Sequence, residues 1–141
     1  MKIQIKKLNS DAIIPQYAHA HDAGMDLYAC ESMVIKAGER GVVPTGIAMA
    51  IPSGYVGLIW DKSGMAAKFG LKTMAGVIDA GYRGEVKIVM HNLSSADYTV
   101  KAGEKIAQML IQPVLQMPLV EVESLDDTSR GVGGFGSTGL K

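Results

Sequence analysis

The 141-residue sequence contains one cysteine, few aromatic side chains (6% of residues) and no excess of charge of either sign. A single cysteine, Cys30, permits no disulfide within the chain and is typical of proteins from a reducing compartment. We therefore expect a cytoplasmic protein, although a nuclear or virus-encoded origin stays open. The 14 Lys and Arg residues balance 14 Asp and Glu residues, so no broad basic surface for nucleic acid or anionic membrane is expected.

Long apolar runs are also missing from the sequence. No run approaches the 18 or so residues that a membrane-spanning helix needs. Residues 1–7 alternate between apolar and polar types, and they lack the apolar block of a signal peptide. We therefore expect neither a membrane anchor nor a cleaved leader.

Short apolar segments separated by many of the 17 glycines predict an all-β domain rather than βαβ units. The length predicts one domain, and a hydrophobic fraction of 48% suffices for a core. In residues 85–91, Val86, Ile88 and Met90 alternate with other residues, which predicts a strand with one buried face. A short helix is predicted at residues 63–69, where good helix formers cluster. Further strands are predicted at residues 3–6, 42–51, 55–60 and 106–114, and around Val120 and Val122.

The composition changes after Leu125, which predicts a domain over residues 1–125 and a glycine-rich arm over residues 126–141. The arm has too few large apolar side chains to fold by itself. It is either a frayed terminus or an arm that becomes ordered over an anion, because closely spaced glycines expose backbone N–H groups. It partly matches a Walker A loop, but the lysine and the following helix are missing.

A predicted β-hairpin over residues 74–86 carries the most distinctive candidate residues. Apolar residues lead to Asp79, then to a Gly-Tyr-Arg-Gly turn, and then to a strand. Backbone groups of such a turn can present a donor, an acceptor and a donor, which match the O2, N3–H and O4 edge of uracil but not that of cytosine. Tyr82 can lie against a sugar ring. Two structural interpretations stay open, namely Tyr82 as a cross-strand aromatic residue and Asp79 as a turn-capping residue.

Three other segments carry candidate polar residues. Asp26 lies alone between apolar neighbours, as a turn residue or as a carboxylate that positions a hydrated cation. Residues 61–64 lie at the start of the predicted helix, where backbone N–H groups, Lys62 and the Ser63 hydroxyl can face a phosphate. Alternatively, Asp61 or Ser63 simply caps the helix. Gln108 is a polar residue within an otherwise apolar strand. A zinc site is not expected, because the potential ligands lack ligand spacing; they are His19, His21, Cys30 and His91.

Together and in this order, these segments resemble the five motifs of the homotrimeric deoxyuridine triphosphatase (dUTPase) family. The resemblance extends over residues 3–139. It implies a distorted jelly-roll-like β-barrel that assembles as a homotrimer with active sites at subunit contacts. It also implies Mg²⁺-dependent hydrolysis of dUTP to dUMP and pyrophosphate, which keeps uracil out of DNA and supplies dUMP for dTMP synthesis. The motifs correspond to residues 23–27, 62–64, 76–85, 103–108 and 130–139.

The resemblance also assigns roles to individual residues. Asp79 would activate the attacking water as the catalytic base, and Asp26 would bind Mg²⁺ through water. Tyr82 would exclude a 2′-hydroxyl, and Phe135 in the arm of a neighbouring chain would cover the uracil ring. The implied substrate-binding residues are Lys62, Ser63, Gly64, Gly76, Val77, Ile78, Tyr82, Lys87, Gln108, Arg130, Phe135, Gly136, Ser137 and Thr138.

Three positions depart from the family pattern. Lys62 and Lys105 stand where arginine is common, and a point-like ammonium cannot reproduce the bidentate fork of a guanidinium. Gly81 replaces an aspartate that is common just before the tyrosine of the third motif. None of these departures removes a residue with an assigned chemical role.

Two alternative functions are weighed against this one. The dCTP deaminases share the fold and a similar turn around Asp79, but they need a glutamate in the following strand where this chain has Val89. A noncatalytic nucleotide sensor or protein-binding trimer is disfavoured, because Asp79, Tyr82 and the arm are all present. Pyrophosphate release from dUTP distinguishes an enzyme from a sensor, and ammonia release from dCTP identifies a deaminase.

Overall fold

The computed structural model describes residues 2–134 and confirms the predicted all-β fold with one short helix. The helix α1 occupies Ser63–Phe69, as predicted. The strands are β1 (Gln4–Lys7), β2 (Gly24–Tyr28), β3 (Met33–Ile35), β4 (Arg40–Ala50), β5 (Tyr55–Asp61), β6 (Leu71–Met74), β7 (Val77–Ile78), β8 (Glu85–Asn92), β9 (Tyr98–Val100) and β10 (Lys105–Pro113).

The strands form two four-stranded antiparallel sheets and one two-stranded sheet in a jelly-roll-like arrangement. The first sheet has the order β1-β4-β8-β6, the second β2-β10-β5-β7, and the third pairs β3 with β9. Val86, Ile88 and Met90 on β8 are at most 1% exposed, which confirms the predicted buried face. They belong to one apolar cluster with buried residues of the second sheet, such as Leu27 and Met109. The two main sheets therefore share a single core.

The helix α1 begins without a side-chain cap. Its N-cap residue is Lys62, which makes no capping hydrogen bond, so capping by Asp61 or Ser63 is wrong. The helix ends at Gly70, whose φ of 66° is left-handed and whose N–H donates to the Ala66 carbonyl. Glycine adopts this conformation without the steric cost that a Cβ brings.

The hairpin predicted over residues 74–86 is wrong in its pairing. β7 pairs with β5 in the second sheet, whereas β8 pairs with β4 and β6 in the first. Residues 79–84 therefore connect the two sheets instead of joining two paired strands. Local composition indicated the turn correctly, but the partners of each strand are distant in sequence.

The C-terminal part of the described chain contains no strand beyond Pro113. Val120 and Val122 were predicted to lie on a strand, which is wrong, since both are exposed (80% and 55%) within irregular residues 114–134. An alternating pattern forms a strand only where another strand offers hydrogen bonds, and none does so here. Within residues 2–134, the structure contains no helix with the length and apolar character to cross a membrane.

Candidate active site

A pocket of about 740 Å³ lies where β2, β10 and β5 meet the start of α1. β10 pairs with β2 on one side and with β5 on the other, so Gln108 lies between Asp26 and Trp60 in register. Antiparallel pairing therefore brings three separate sequence motifs to one place. The pocket is lined by Ala18, His19, Asp22, Ala23, Gly24, Asp26, Trp60, Asp61, Lys62, Ser63, Ala66, Gln108 and Leu110.

Asp26 is the buried charge of this pocket, with 4% of its surface exposed. Its Oδ1 accepts a hydrogen bond from Lys62 Nζ, and its Oδ2 lies 2.8 Å from Lys105 Nζ. Burial alone would raise the pKa of Asp26, but Lys105 and Lys62 more than offset this and hold the pKa below its ordinary value. The carboxylate is therefore ionised at neutral pH.

Both lysines that stand where arginine is common contact Asp26. The Lys62 side chain is 29% exposed, and that of Lys105 is about half exposed. Asp26 raises the pKa of Lys105, because its carboxylate favours the charged ammonium. The cluster of one carboxylate and two ammonium groups carries a net positive charge, which favours an anionic ligand in the pocket.

Gln108 is fixed by two neighbours. Its Nε2 donates to the Asp61 carbonyl at 2.9 Å. Its Oε1 faces Gly24, where an added Cβ would lie only 2.4 Å away. A side chain at residue 24 would therefore displace the Gln108 amide, whereas the φ of Gly24 is not positive and does not itself call for glycine.

Asp61 is a residue of this region whose role the sequence did not reveal. Its Oδ1 accepts hydrogen bonds from both the backbone N–H and the hydroxyl of Thr73, each at 2.6 Å. Its Oδ2 lies 2.8 Å from Lys72 Nζ. Burial raises the pKa of Asp61, but Lys72 and Thr73 together hold it below its ordinary value. In the sequence, the position of Asp61 just before a helix indicates a capping residue. No nearby residue indicates that its side chain contacts β6.

Asp79 lies in a different pocket, of about 510 Å³, between residues 53–56, 77–81 and 114–116. Asp79 is exposed and forms no ion pair with another residue of the range 2–134. Its backbone carbonyl accepts a hydrogen bond from the Tyr82 N–H at 3.0 Å, which closes the turn. The Tyr82 hydroxyl donates to the Glu85 carbonyl at 3.0 Å, and the ring stays 44% exposed.

The backbone before Asp79 is held in an unusual conformation. Ala75 and Gly76 have φ values of 58° and 110°, a region that L side chains rarely adopt. A Cβ at Gly76 would lie 2.9 Å from the Ile59 carbonyl oxygen. The Gly76 carbonyl accepts the Ile59 N–H at 2.8 Å. This hydrogen bond ties the backbone at Gly76 to β5.

Several predicted residues lie outside both pockets. Lys87 on β8 is 3.5 Å from Glu85, and Arg130 donates from Nε to the Gly133 carbonyl at 2.9 Å. Neither residue lines the pocket of Asp26 or that of Asp79. Within one chain, the predicted residues therefore form separate groups. Four predicted residues lie outside the described part of the chain: Phe135, Gly136, Ser137 and Thr138.

The donor set near Asp26 suits a hydrated divalent cation better than a directly bound one. Residues 2–134 contain no group of three or more His, Cys, Asp or Glu side chains that could hold a metal. Asp26 Oδ2 is buried and has an ion pair but no well-directed hydrogen bond. Mg²⁺ usually keeps several waters and binds one or two carboxylates together with substrate phosphates. Asp26 therefore fits an outer-sphere role, through water.

Trp60 forms part of the rim of the larger pocket. It is the only tryptophan in the sequence, and 53% of its surface is exposed. It is the cross-strand partner of Gln108. The aromatic ring therefore lies close to the residues that surround Asp26.

Comparisons with known proteins agree on one family. A family model described as dUTPase matches residues 10–139. The deoxyuridine 5′-triphosphate nucleotidohydrolase of Nautilia profundicola is 48% identical, with 99% of each chain covered. The solved dUTPase of Staphylococcus bacteriophage 80alpha with dUpNHpp has a TM-score of 0.93 at 32% identity, with 99% of each chain covered. A dUTPase variant from phage phi11 of S. aureus, reported to coordinate a structural Mg(II) ion, has a TM-score of 0.85 at 29% identity over 90% of this chain and 100% of that one.

Proposed function

Because the chain belongs to the dUTPase family, we propose that it hydrolyses dUTP to dUMP and pyrophosphate. The observation that carries the proposal is the pocket lined by Asp26 and Lys62, in which Asp26 also forms an ion pair with Lys105. Gln108 and Ser63 line the same pocket. Ammonium groups neutralise a polyphosphate, and amide and hydroxyl groups donate hydrogen bonds to its oxygens. By resemblance, deamination of dCTP is disfavoured, because Val89 stands where the dCTP deaminases need a glutamate.

Asp79 acts as the general base in this proposal. Its carboxylate is exposed to solvent and has no ion pair within residues 2–134, so it can accept a proton from water. The water oxygen forms a bond to the α-phosphorus while the bond from that phosphorus to the bridging oxygen of the β-phosphate breaks. The proton passes to Asp79, and pyrophosphate leaves. Catalysis of this kind depends mainly on positioning and charge stabilisation.

Mg²⁺ fits the larger pocket together with the substrate. When bound, Mg²⁺ supplies charge neutralisation and holds the polyphosphate in one conformation. Asp26 would contact the ion through water. Lys62 and Lys105 would balance the remaining charge of the phosphates, and Ser63 and Gln108 would donate hydrogen bonds to them.

The active form is a homotrimer in this proposal. The Asp79 pocket and the Asp26 pocket share no lining residue in a single chain. In the proposed trimer, a second copy brings one pocket to face the other. Residues 114–125 also present apolar side chains with no covering partner in residues 2–134, among them Leu115 (80% exposed) and Leu119 (95%). Large exposed apolar surface marks an interaction site. By resemblance, residues 126–141 would form the arm that closes over a neighbouring site.

Specificity for dUTP would come from the turn at residues 76–82. Backbone groups would read the uracil edge, and Tyr82 would leave no space for a 2′-hydroxyl, so UTP would be rejected by a clash. In the cell, this reaction would remove dUTP that could enter DNA, and it would supply dUMP for dTMP synthesis.

A substrate panel tests the proposal. The protein is incubated with dUTP, UTP, dTTP and dCTP in the presence of Mg²⁺, and both pyrophosphate and ammonia are measured. We expect pyrophosphate from dUTP alone, its loss in Asp79→Asn with dUTP binding retained, and a trimer mass by sedimentation. Ammonia from dCTP, or dUTP binding without turnover by the unmodified protein, would contradict the proposed reaction.

A further inference from the structure

Asp61 links the two main sheets at the edge of the larger pocket. It is the last residue of β5 in the second sheet, and its side chain contacts Lys72 and Thr73 on β6 in the first sheet. It also directly precedes Lys62 and Ser63, which start α1. Its position therefore influences both the helix start and the adjacent strand β10.

The side chain of Asp61 is held by three contacts. Two hydrogen bonds from Thr73 reach Oδ1 at 2.6 Å, and Lys72 lies 2.8 Å from Oδ2. Hydrogen bonds to an ionised carboxylate are shorter and stronger than those between neutral groups. The side chain is only 23% exposed, so solvent and salt screen these contacts less than those of a surface pair.

The backbone carbonyl of Asp61 determines the orientation of Gln108. A carbonyl oxygen accepts but cannot donate, so only the NH₂ end of the Gln108 amide can face it. Nε2 has two N–H groups, and the bond to Asp61 uses one of them. The other is left for a ligand. With Gly24 against Oε1, the amide has one fixed orientation.

We propose that Asp61 is a positioning residue for triphosphate binding. Its side chain is held by Lys72 and Thr73, and this fixes the backbone carbonyl of Asp61, which orients the Gln108 amide. The same contacts fix the backbone just before the start of α1. This inference rests on the proposed function, since it concerns the binding of the same substrate. Asp61 itself contacts no phosphate in this account. Its effect passes through Gln108 and the residues that follow it.

Steady-state kinetics of three variants test this role. Asp61→Ala removes all three side-chain contacts, whereas Asp61→Asn keeps an oxygen that can accept from Thr73. Asp97→Ala is the matched control, because Asp97 also accepts a backbone N–H, from Ala37 at 2.9 Å, but lies at an exposed site outside both pockets. We expect the KM for dUTP to rise about tenfold in Asp61→Ala and less than threefold in Asp61→Asn. In both variants, kcat should change less than KM, because loss of a contact that binds the substrate and the transition state equally raises KM and leaves kcat unchanged.

The split between KM and kcat separates positioning from stability. A residue that only stabilises the fold would lower the melting temperature and the active fraction, which reduces apparent kcat and leaves KM unchanged. A KM within twofold of the unmodified protein in Asp61→Ala would overturn the proposal. So would an equal rise in Asp97→Ala.

An NMR measurement decides the question without activity. The side-chain amide resonances of Gln108 are assigned by their loss in Gln108→Glu. We expect them to shift towards those of a solvated glutamine in Asp61→Ala and to stay in place in Asp97→Ala. Unchanged resonances in Asp61→Ala would refute the positioning role even if the protein hydrolysed no dUTP, an outcome that would separately refute the proposed function.

Discussion

Replacing Gly24 by alanine tests the close packing at the larger pocket. The added Cβ would lie 2.4 Å from Gln108 Oε1, about 1 Å short of ordinary contact, and 3.1 Å from its Cδ. Gln108 must therefore change rotamer and lose its hydrogen bond to Asp61. A lost hydrogen bond costs about 1 kcal/mol, and a strained side chain costs about 1 kcal/mol more. We expect Gly24→Ala to lower the free energy of unfolding by about 2 kcal/mol.

Urea unfolding at a fixed protein concentration measures this loss, and a double variant identifies its cause. A Gln108→Ala background removes the two nearest atoms, Oε1 and Cδ, and keeps the Cβ of residue 108 at 3.2 Å from the added methyl group. Gly24→Ala should then cost about 0.5 kcal/mol, which leaves an interaction energy of about 1.5 kcal/mol between the two sites. Gly81→Ala is the control, because an added Cβ there meets no atom within 4 Å. Equal costs of Gly24→Ala in both backgrounds would refute the reasoning.

Three further changes have defined outcomes. Tyr82→Ala should raise the ratio of UTP to dUTP kcat/KM about tenfold, because space opens for the 2′-hydroxyl; an unchanged ratio would place sugar selection elsewhere. Asn92→Ala should lower the free energy of unfolding by about 3 kcal/mol in urea. Asn92 is 0% exposed, and its donated hydrogen bonds to the Ile35 and Ala96 carbonyls, at 3.0 and 2.8 Å, would be lost; a loss below 1 kcal/mol would contradict this. The pKa of Asp61 is held below its ordinary value of 3.8, so its ion pair with Lys72 stabilises the fold above pH 3.8, and this stabilisation is lost as the pH falls through the lower pKa of the folded state. Between pH 6 and pH 3, the free energy of unfolding should therefore fall less steeply in Asp61→Asn than in the unmodified protein. Parallel curves of the free energy of unfolding against pH would contradict the assignment.

Sequence periodicity predicted the elements whose signals are local. The helix at Ser63–Phe69 and the buried face of β8 follow from residue types within one segment. The hairpin over residues 74–86 could not be predicted correctly, since β7 and β8 choose partners in different sheets. The alternation at Val120 and Val122 likewise indicates a strand, but it specifies no partner, and residues 114–134 contain none.

The candidate site was predictable as a set of motifs but not as a set of contacts. Asp26 and Gln108 were singled out because a polar residue within an apolar run needs a reason, and the structure brings both to one pocket. The pairing of Lys62 with Asp26 could not be read from the sequence, because 36 positions separate them. The bond from Gln108 to the Asp61 carbonyl likewise depends on how β10 lies beside β5.

The half-exposed indole at the rim of the larger pocket has a practical consequence. Since Trp60 is the sole tryptophan, all indole emission from the folded chain originates within one strand spacing of Gln108. The emission wavelength of an indole depends on how much water surrounds it, and 53% of this side chain is exposed. Nucleotide that displaces this water would shift the emission, so an unlabelled protein can be titrated in a simple fluorimeter.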